Sequence, residues 1–298
     1  MAKPLSVTLG IPTCNGAAIL QKTIASILRS RIDRKIQIII AADTVPFTRE
    51  EVSQLNKQHV TVIQNKTPSG QQAKLNQLAR LCTTDLIIFT QDDVLFSPTA
   101  IQTIIQAFEK DSALTMVAAH VAAYKPKSMF EKILLVGSNL VYRIGMNWNS
   151  GNNYLLSIGR CLAFRTDIYK RMQAPGQIVN ADAYVYFANR ELKGKFAYLP
   201  RAVVYTKLPQ RLQEHINQSK RYQNSYRELK PYISSLDHIK DYHPGLRLTA
   251  VAFLQEFLSN PLYTFAYIVL TTYVRTLKVD IKKYQTAYWK VDRSTKLS

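Results

Sequence analysis

In IIFTQDDVLF (Ile87 to Phe96) an apolar run suited to a buried strand ends in two adjacent carboxylates, Asp92 and Asp93. Two like charges at such a point repel each other and are costly to bury unless something neutralises them. A hard divalent cation would do so, since Mg²⁺ takes one or two protein carboxylates together with substrate phosphate oxygens. An Asx turn with a helix cap would also satisfy the pair, one Asp accepting backbone N–H bonds and the other facing water. The pair alone does not choose between them. Two further polar strand ends bear on the choice. IPTCNG, with Pro12 and Gly16, forms a turn that exposes backbone amides near a helix start, a suitable place for a nucleotide or phosphate. Asp43 closes IQIIIAAD, where a carboxylate can accept hydrogen bonds from a base or ribose. Three polar ends on one edge favour a metal-bound pyrophosphate.

The elements that must position these groups alternate β-branched runs with helical segments, the pattern of a mostly parallel sheet with helices on its faces. SVTLGIPT, IQIIIAAD, VTVIQN, DLIIFTQDD and TMVAAHVAAY read as strands. AAILQKTIASILRS, GQQAKLNQLARLC and SPTAIQTIIQAFEK read as helices, the last with Ser97 as N-cap and Pro98 at the first helical position. The first 125 residues thus predict a βαβαβαβ half-barrel or open sheet. In such sheets ligands bind outside the carboxyl ends of the strands, where all three polar ends fall.

With 298 residues, 47% of them hydrophobic, the chain suffices for one large domain with or without a small appendage. Its net charge of +19 points to an anionic partner: nucleic acid, an acidic membrane surface or a phosphate-bearing substrate. Nucleic acid is the weakest of these, for the sequence holds no zinc-finger spacing, RNP-like aromatic motif or helix-turn-helix signal. Cys14, Cys82 and Cys161 are widely spaced and include no CxxC pair, so neither a disulfide framework nor a zinc site is indicated and a reducing cytosol fits. His59, His120, His215, His238 and His243 form no ligand pattern. MAKPLSVTLGIPT enters a strand pattern at once, which predicts no cleaved secretion signal.

Taken in order, IPTCNG, the terminal Asp43, SGQQAKLNQLA and FTQDDV resemble the nucleotide-binding half of a family 2 glycosyltransferase of the GT-A fold. GRCLAFRTDIYKRM (Gly159 to Met172) is similar to that family's Gly-x-x-x-Ala-Phe-Arg stretch. NADAYVYFANRELKGKFAYLPRAVVY resembles the segment whose opening acidic pair carries the catalytic base, and QSKRY (Gln218 to Tyr222) resembles the Gln-x-x-Arg-Trp motif of membrane-bound polysaccharide synthases. The likeness spans roughly residues 5 to 225 and rests on several unrelated motifs in one order.

The resemblance implies an α/β GT-A domain over residues 1–228, with a Rossmann-like nucleotide-binding half and a mixed central sheet flanked by helices, and a membrane-associating helical region over residues 229–298. It implies an inverting glycosyltransferase dependent on Mg²⁺ or Mn²⁺. The donor would be a nucleotide-diphosphate sugar, a UDP-sugar favoured, and the acceptor a glycan or lipid-linked sugar in polysaccharide or cell-envelope synthesis. Residue by residue, Pro12, Thr13, Asn15 and Gly16 would form the first loop around the nucleotide, Asp43 would contact the base, and Lys74 and Asn76 would lie near the nucleotide sugar. Asp92 and Asp93 would contact the donor and the metal, and Asp182 would be the general base. Gln218, Arg221 and Tyr222 would close over the diphosphate or the acceptor. An ordinary solvated helix face is the plain alternative for Lys74, and a surface salt bridge for Arg221.

Three departures from the family pattern carry consequences. Thr90 or Gln91 stands where the family places a further acid, which predicts weaker metal binding or exchanged roles for Asp92 and Asp93. Ala181 replaces the acid before Asp182, which predicts a less raised pKa for that base. Tyr222 replaces Trp, keeping an aromatic platform but weakening the case for a processive polymerase. A catalytically degenerate scaffold that binds membrane or polysaccharide is the competing reading, because lost acids are what decay produces.

Leu246 to Lys278 contains two apolar runs broken by Gln255, Glu256 and Asn260-Pro261. Neither reaches the ~20 consecutive apolar residues of a bilayer span, so two interfacial or re-entrant helices are expected, at the cytoplasmic face of a membrane. SMFEKILLVGSNLVYRIGM (Ser128 to Met146) is apolar on more than one face, and the basic tail with Tyr284, Tyr288 and Trp289 suits an anionic headgroup layer. A helical cap packed on the catalytic domain is the alternative.

Overall fold

A computed structural model of the chain describes residues 4–172, 174–176, 178–223, 225–234, 242–278 and 293–296. Its strands are β1 (Val7–Thr13), β2 (Gln37–Ala42), β3 (Val60–Gln64), β4 (Leu86–Thr90), β5 (Leu95–Phe96), β6 (Leu114–Ala123), β7 (Cys161–Arg165) and β8 (Lys195–Thr206). Its helices are α1 (Ala17–Leu28), α2 (Arg49–Lys57), α3 (Gln71–Leu81), α4 (Ala100–Lys110), α5 (Met129–Asn147), α6 (Thr166–Met172), α7 (Ala181–Glu191), α8 (Leu212–Tyr222), α9 (Ser225–Leu229), α10 (Leu246–Ser259) and α11 (Pro261–Thr276).

Among the described residues the strands form one eight-stranded sheet in the order β3-β2-β1-β4-β7-β6-β8-β5. The first four neighbours run parallel, β7 is antiparallel to both β4 and β6, and β8 is parallel to β6 and antiparallel to β5. All five strands expected from the sequence form. The open parallel continuation does not, because β4 is followed in the sheet by the reversed β7. This reversal matters for the site. Pairing Thr90 with Cys161 brings the residues just before β7, Gly159 and Arg160, to the carboxyl end of β4.

The parallel strands are buried on both faces, which is why they read as unbroken apolar runs. In β2, Ile38 and Ile40 enter one core while Ile39 and Ala41 enter the other, the period-two alternation of a strand. Each such isoleucine contributes about 1.5–3 kcal/mol of burial, so the sheet is a rigid floor for the polar ends. The second core also takes in Leu229, Ile233 and Tyr242. Helix α4 starts at Ala100, later than Ser97 and Pro98 suggested. The Ser97 N–H donates to the Val203 carbonyl at 3.0 Å, prolonging the β5–β8 pairing, and Thr99 becomes the N-cap.

Helices α10 and α11 pack on each other and on α5. Val136, Leu140 and Ile144 of α5 meet Ala252 of α10. Glu256 is fully buried there, paired with Arg143 at 2.9 Å and accepting from Asn139 at 2.8 Å. No helix among the described residues is long and apolar enough to cross a membrane. Tyr284, Tyr288 and Trp289 lie outside the described residues.

Candidate functional site

Polar residues at the ends of β1, β2 and β4 meet in one cluster. The Thr13 hydroxyl accepts the Asn15 N–H at 3.0 Å and donates to Asp92 Oδ2 at 2.6 Å. Asn15 Nδ2 donates to the same oxygen at 2.7 Å. Thr13 ends β1 and Asn15 lies in the turn before α1, with Pro12 buried in β1 and Gly16 as the N-cap of α1. The Thr23 hydroxyl on α1 donates to the Asp92 carbonyl at 2.8 Å. The first loop and Asp92 are thus one hydrogen-bonded unit. Neither Asp92 nor Asp93 caps α4, which begins at Ala100.

Asp93 is 2% exposed and faces two cations: Arg160 Nη1 at 2.6 Å from Oδ1 and Lys296 Nζ at 2.9 Å from Oδ2. Burial pushes its pKa up, but Arg160 and Lys296 outweigh that and hold it below the usual carboxylate range. Lys296 also reaches Asp92 Oδ1 at 3.0 Å. Burial alone would lower the pKa of its ammonium, and the two carboxylates raise it instead.

Asp43, just after β2, is 1% exposed. Its Oδ2 takes Lys74 Nζ at 2.6 Å and the Ser69 N–H at 3.0 Å, and the Thr44 hydroxyl donates to Oδ1 at 3.1 Å. Burial raises its pKa, and Lys74 and the Ser69 N–H more than reverse this. Lys74 is therefore buried on Asp43, and the solvated helix face is corrected. Lys74 gets there because α3 starts after Gly70, whose φ of +80° is costly for any residue with a Cβ. Asn76 faces the other way, donating to the Ala174 carbonyl at 2.8 Å and accepting from Gln72.

Asp182 lies in the first turn of α7, where the Gly159 N–H donates to its Oδ2 at 2.8 Å. Burial raises its pKa, with the Gly159 N–H and Arg160 pulling weakly the other way. The missing neighbouring acid is replaced by desolvation. An ideal Cβ on Gly159 would sit 2.2 Å from Asp182 Oδ1, so only glycine permits this approach. Arg160, on Asp93 and within electrostatic reach of Asp182, joins the two parts of the site.

A cavity beside Asp182 is lined by Gln72, Leu75, Phe89, Phe164, Val185 and Tyr222. Gln72 is 3% exposed, and its Oε1 has no partner among the described residues. Tyr222 ends α8 and is 44% exposed, and it lines this cavity. Burial and the Asp182 carboxylate push its pKa up, and its hydroxyl shares a hydrogen bond with Arg221. Gln218 and Arg221 stand on the same helix, and the cations on Asp93 are Arg160 and Lys296. Sequence reasoning gave those two no role. Arg160 lay inside the quoted GRCLAFR stretch, whereas only the basic character of the tail marked Lys296.

Among the described residues no group of three or more His, Cys, Asp or Glu could hold a metal ion. Two carboxylates remain, and they already hold an ammonium between them, so their oxygens fit a cation that completes its shell with phosphate.

The family described as Glycosyl transferase family 2 matches residues 8–172. No curated protein matches the chain. Among solved structures, mannosyltransferase PcManGT from Pyrobaculum calidifontis, in complex with GDP-Man and Mn²⁺, is similar at 15% identity and a TM-score of 0.57, covering 96% of this chain and 86% of that one. GalNAc-T7 with UDP, GalNAc and Mn²⁺ is similar at 12% identity and a TM-score of 0.51, over 67% of this chain and 43% of that one. At these identities the likeness is one of fold.

Proposed function

The chain belongs to glycosyltransferase family 2, and from that premise we propose that it moves a sugar, with inversion, from a nucleoside-diphosphate sugar to a hydroxyl of a glycan or lipid-linked acceptor at an anionic membrane surface. The observation that carries the reading is the split environment of its carboxylates: Asp43, Asp92 and Asp93 held by cations and hydrogen-bond donors, Asp182 with its pKa raised by desolvation. A degenerate scaffold gives no reason to keep both.

Thr13, Asn15 and Asp43 line the place for the nucleoside, and Asp92 and Asp93 present oxygens to a divalent cation, Mn²⁺ or Mg²⁺. Bound there, such an ion would neutralise charge growing on the diphosphate leaving group. Arg160 adds a guanidinium fork on the same side, suited to phosphate oxygens. Asp182 takes the acceptor proton as the hydroxyl attacks, and a raised pKa makes it a stronger base than an ordinary carboxylate. With the cation side and the base on either side of Arg160, one in-line displacement inverts the anomeric carbon. The free Gln72 oxygen offers a sugar hydroxyl a partner in the cavity beside Asp182, and Tyr222 offers a ring to stack on.

Residues 1–228 form the catalytic domain in this reading and 229–298 its membrane-associating region. Helices α10 and α11 turn Glu256 and Thr264 inward and Leu254, Leu258, Leu262 and Phe265 outward, the reverse of a water-facing pair. Arg247, Arg275 and Lys278 are exposed beside this apolar face, and the net charge of +19 suits anionic lipid.

The test is binding of UDP, GDP and TDP and their sugar conjugates, with and without Mn²⁺ or Mg²⁺, to wild type and Asp93→Ala. Metal-dependent binding of one nucleotide, UDP expected, should weaken by about 10²-fold or more in the variant, as loss of a cation ligand requires. Equal binding by both proteins would remove Asp93 from the site.

A further inference from the structure

The short segment Arg293–Thr295 and the following Lys296 dock against the cluster at the carboxyl end of β4. Ser294 holds the segment in place: its N–H donates to Glu214 Oε1 at 3.2 Å, its hydroxyl donates to Glu214 Oε2, and the same hydroxyl accepts the Gln210 N–H at 3.0 Å. Thr295 is 4% exposed, and Lys207 Nζ donates to the Lys296 carbonyl at 3.2 Å. This is a seated strap with its own contacts.

The oxygens it meets are the ones that matter. Asp92 Oδ2 is tied by Thr13 and Asn15, and Asp93 Oδ1 by Arg160. That leaves Asp92 Oδ1 and Asp93 Oδ2 as the pair open to a cation, and Lys296 Nζ takes both, at 3.0 and 2.9 Å. The ammonium has the place and sign of a divalent ion but half its charge. With Lys296 seated, two carboxylates, one guanidinium and one ammonium cancel, and the site offers a doubly negative diphosphate no net attraction. Exchanging the ammonium for a divalent ion leaves one positive charge. The ion and the ammonium cannot share the two oxygens, since like charges at that separation repel strongly.

We propose that Lys296 is a tethered competitor for the cation site of Asp92 and Asp93, so that the docked strap is an autoinhibited state and loading of divalent cation with nucleoside diphosphate displaces it. The proposal rests on the cation role given above to Asp92 and Asp93. A competitor that occupies most of the population lowers apparent affinity by the fraction left competent.

The experiment uses the full chain and Mn²⁺ alone, followed by electron paramagnetic resonance of the free ion, and then UDP or GDP by calorimetry. Lys296→Ala is expected to bind Mn²⁺ at least about 5-fold more tightly than wild type, the low end of ordinary coupling between sites. Ser294→Ala, which loosens the strap without touching the carboxylates, should move affinity the same way by less. In wild type, amide hydrogen exchange of residues 294–296 should speed up when Mn²⁺ and nucleotide bind. Unchanged or weaker Mn²⁺ binding in Lys296→Ala, or full strap protection in the loaded protein, overturns the proposal. Tighter Mn²⁺ binding with no nucleotide bound by any variant would uphold the strap and sink the transferase reading; nucleotide binding and sugar transfer with Mn²⁺ affinity unmoved would do the reverse.

Discussion

Asp93 is buried, Asp182 partly buried, and they share Arg160 as a neighbour, yet their acidities move in opposite directions. Around Asp93 two cations stand within hydrogen-bond distance, and burial strengthens their pull. Around Asp182 the carboxylate accepts a backbone N–H, that of Gly159, and the walls include Leu75, Phe89 and Val185. Burial therefore dominates. A carboxylate that holds charge must stay ionised, and a carboxylate that takes a proton gains from reluctance to be ionised. Environments that push like groups apart are how one fold separates binding from acid–base work.

The largest effect should come from removing the base while keeping its shape. Asp182→Asn is expected to lower transfer by roughly 10²–10⁴-fold, the usual worth of a positioned base, with donor binding unchanged; full activity would end the assignment. Stability should move the other way. A carboxyl whose folded pKa lies above its unfolded value binds its proton better in the native state. Its ionisation therefore costs stability from about the unfolded pKa upward, and the deficit is complete above the folded one. Asparagine, which never ionises and can still accept the Gly159 N–H, should melt at or above the wild-type temperature at neutral pH. The wild-type rate should rise with pH to a plateau whose midpoint lies above the ordinary aspartate range, a limb absent from the variant.

A subtler break leaves both carboxylates in place. Gly159→Ala puts a methyl group where Asp182 Oδ1 now lies, 2.2 Å from the ideal Cβ position. The side chain must rotate away, and a displacement near 1 Å can cost about 10²-fold in rate. Nucleotide binding, set on the other side of Arg160, should hardly change. A joint loss of binding and rate would mean that the two parts of the site are mechanically one.

Strands β1 to β4 and β6, and the carboxylates that follow β2 and β4, were legible because strands buried on both faces leave long apolar runs that stop abruptly at polar residues, whereas β5, β7 and β8 were not read as strands. Asp43, Asp92 and Asp93 could be read this way. Their partners could not. Lys74 reads as one more cation on a polar helix, and only the approach of α3 to β2 turns it inward onto Asp43. Arg160 comes to Asp93 through the reversal of β7, a pairing that periodicity does not encode. Lys296 is 203 residues from Asp93, in a tail whose composition says basic and nothing more. Even α2 carried a usable signal, the capping box of Thr48 and Glu51, that the pattern of apolar residues left silent.

The smallest effect tests the contrast between the sheet and the C-terminal pair. In the sheet apolar residues face inward, whereas in α10 and α11 the buried positions include Glu256 and Thr264 and the open ones include Leu258, 74% exposed, and Leu262, 71% exposed. With 14 and 16 residues the helices reach only about 21 and 24 Å at 1.5 Å per residue, short of a ~30 Å hydrocarbon core. Their length fits the interfacial placement proposed above. Leu258→Glu with Phe265→Glu should therefore weaken partition onto vesicles containing phosphatidylserine by roughly 10-fold or more, since each change removes buried apolar area and adds a repelled charge. Nucleotide binding in solution should be unaffected, because both side chains are exposed on α10 and α11 and neither belongs to the cluster around Asp92 and Asp93. Partition that survives both changes would mean that the outward apolar face is covered by something other than lipid.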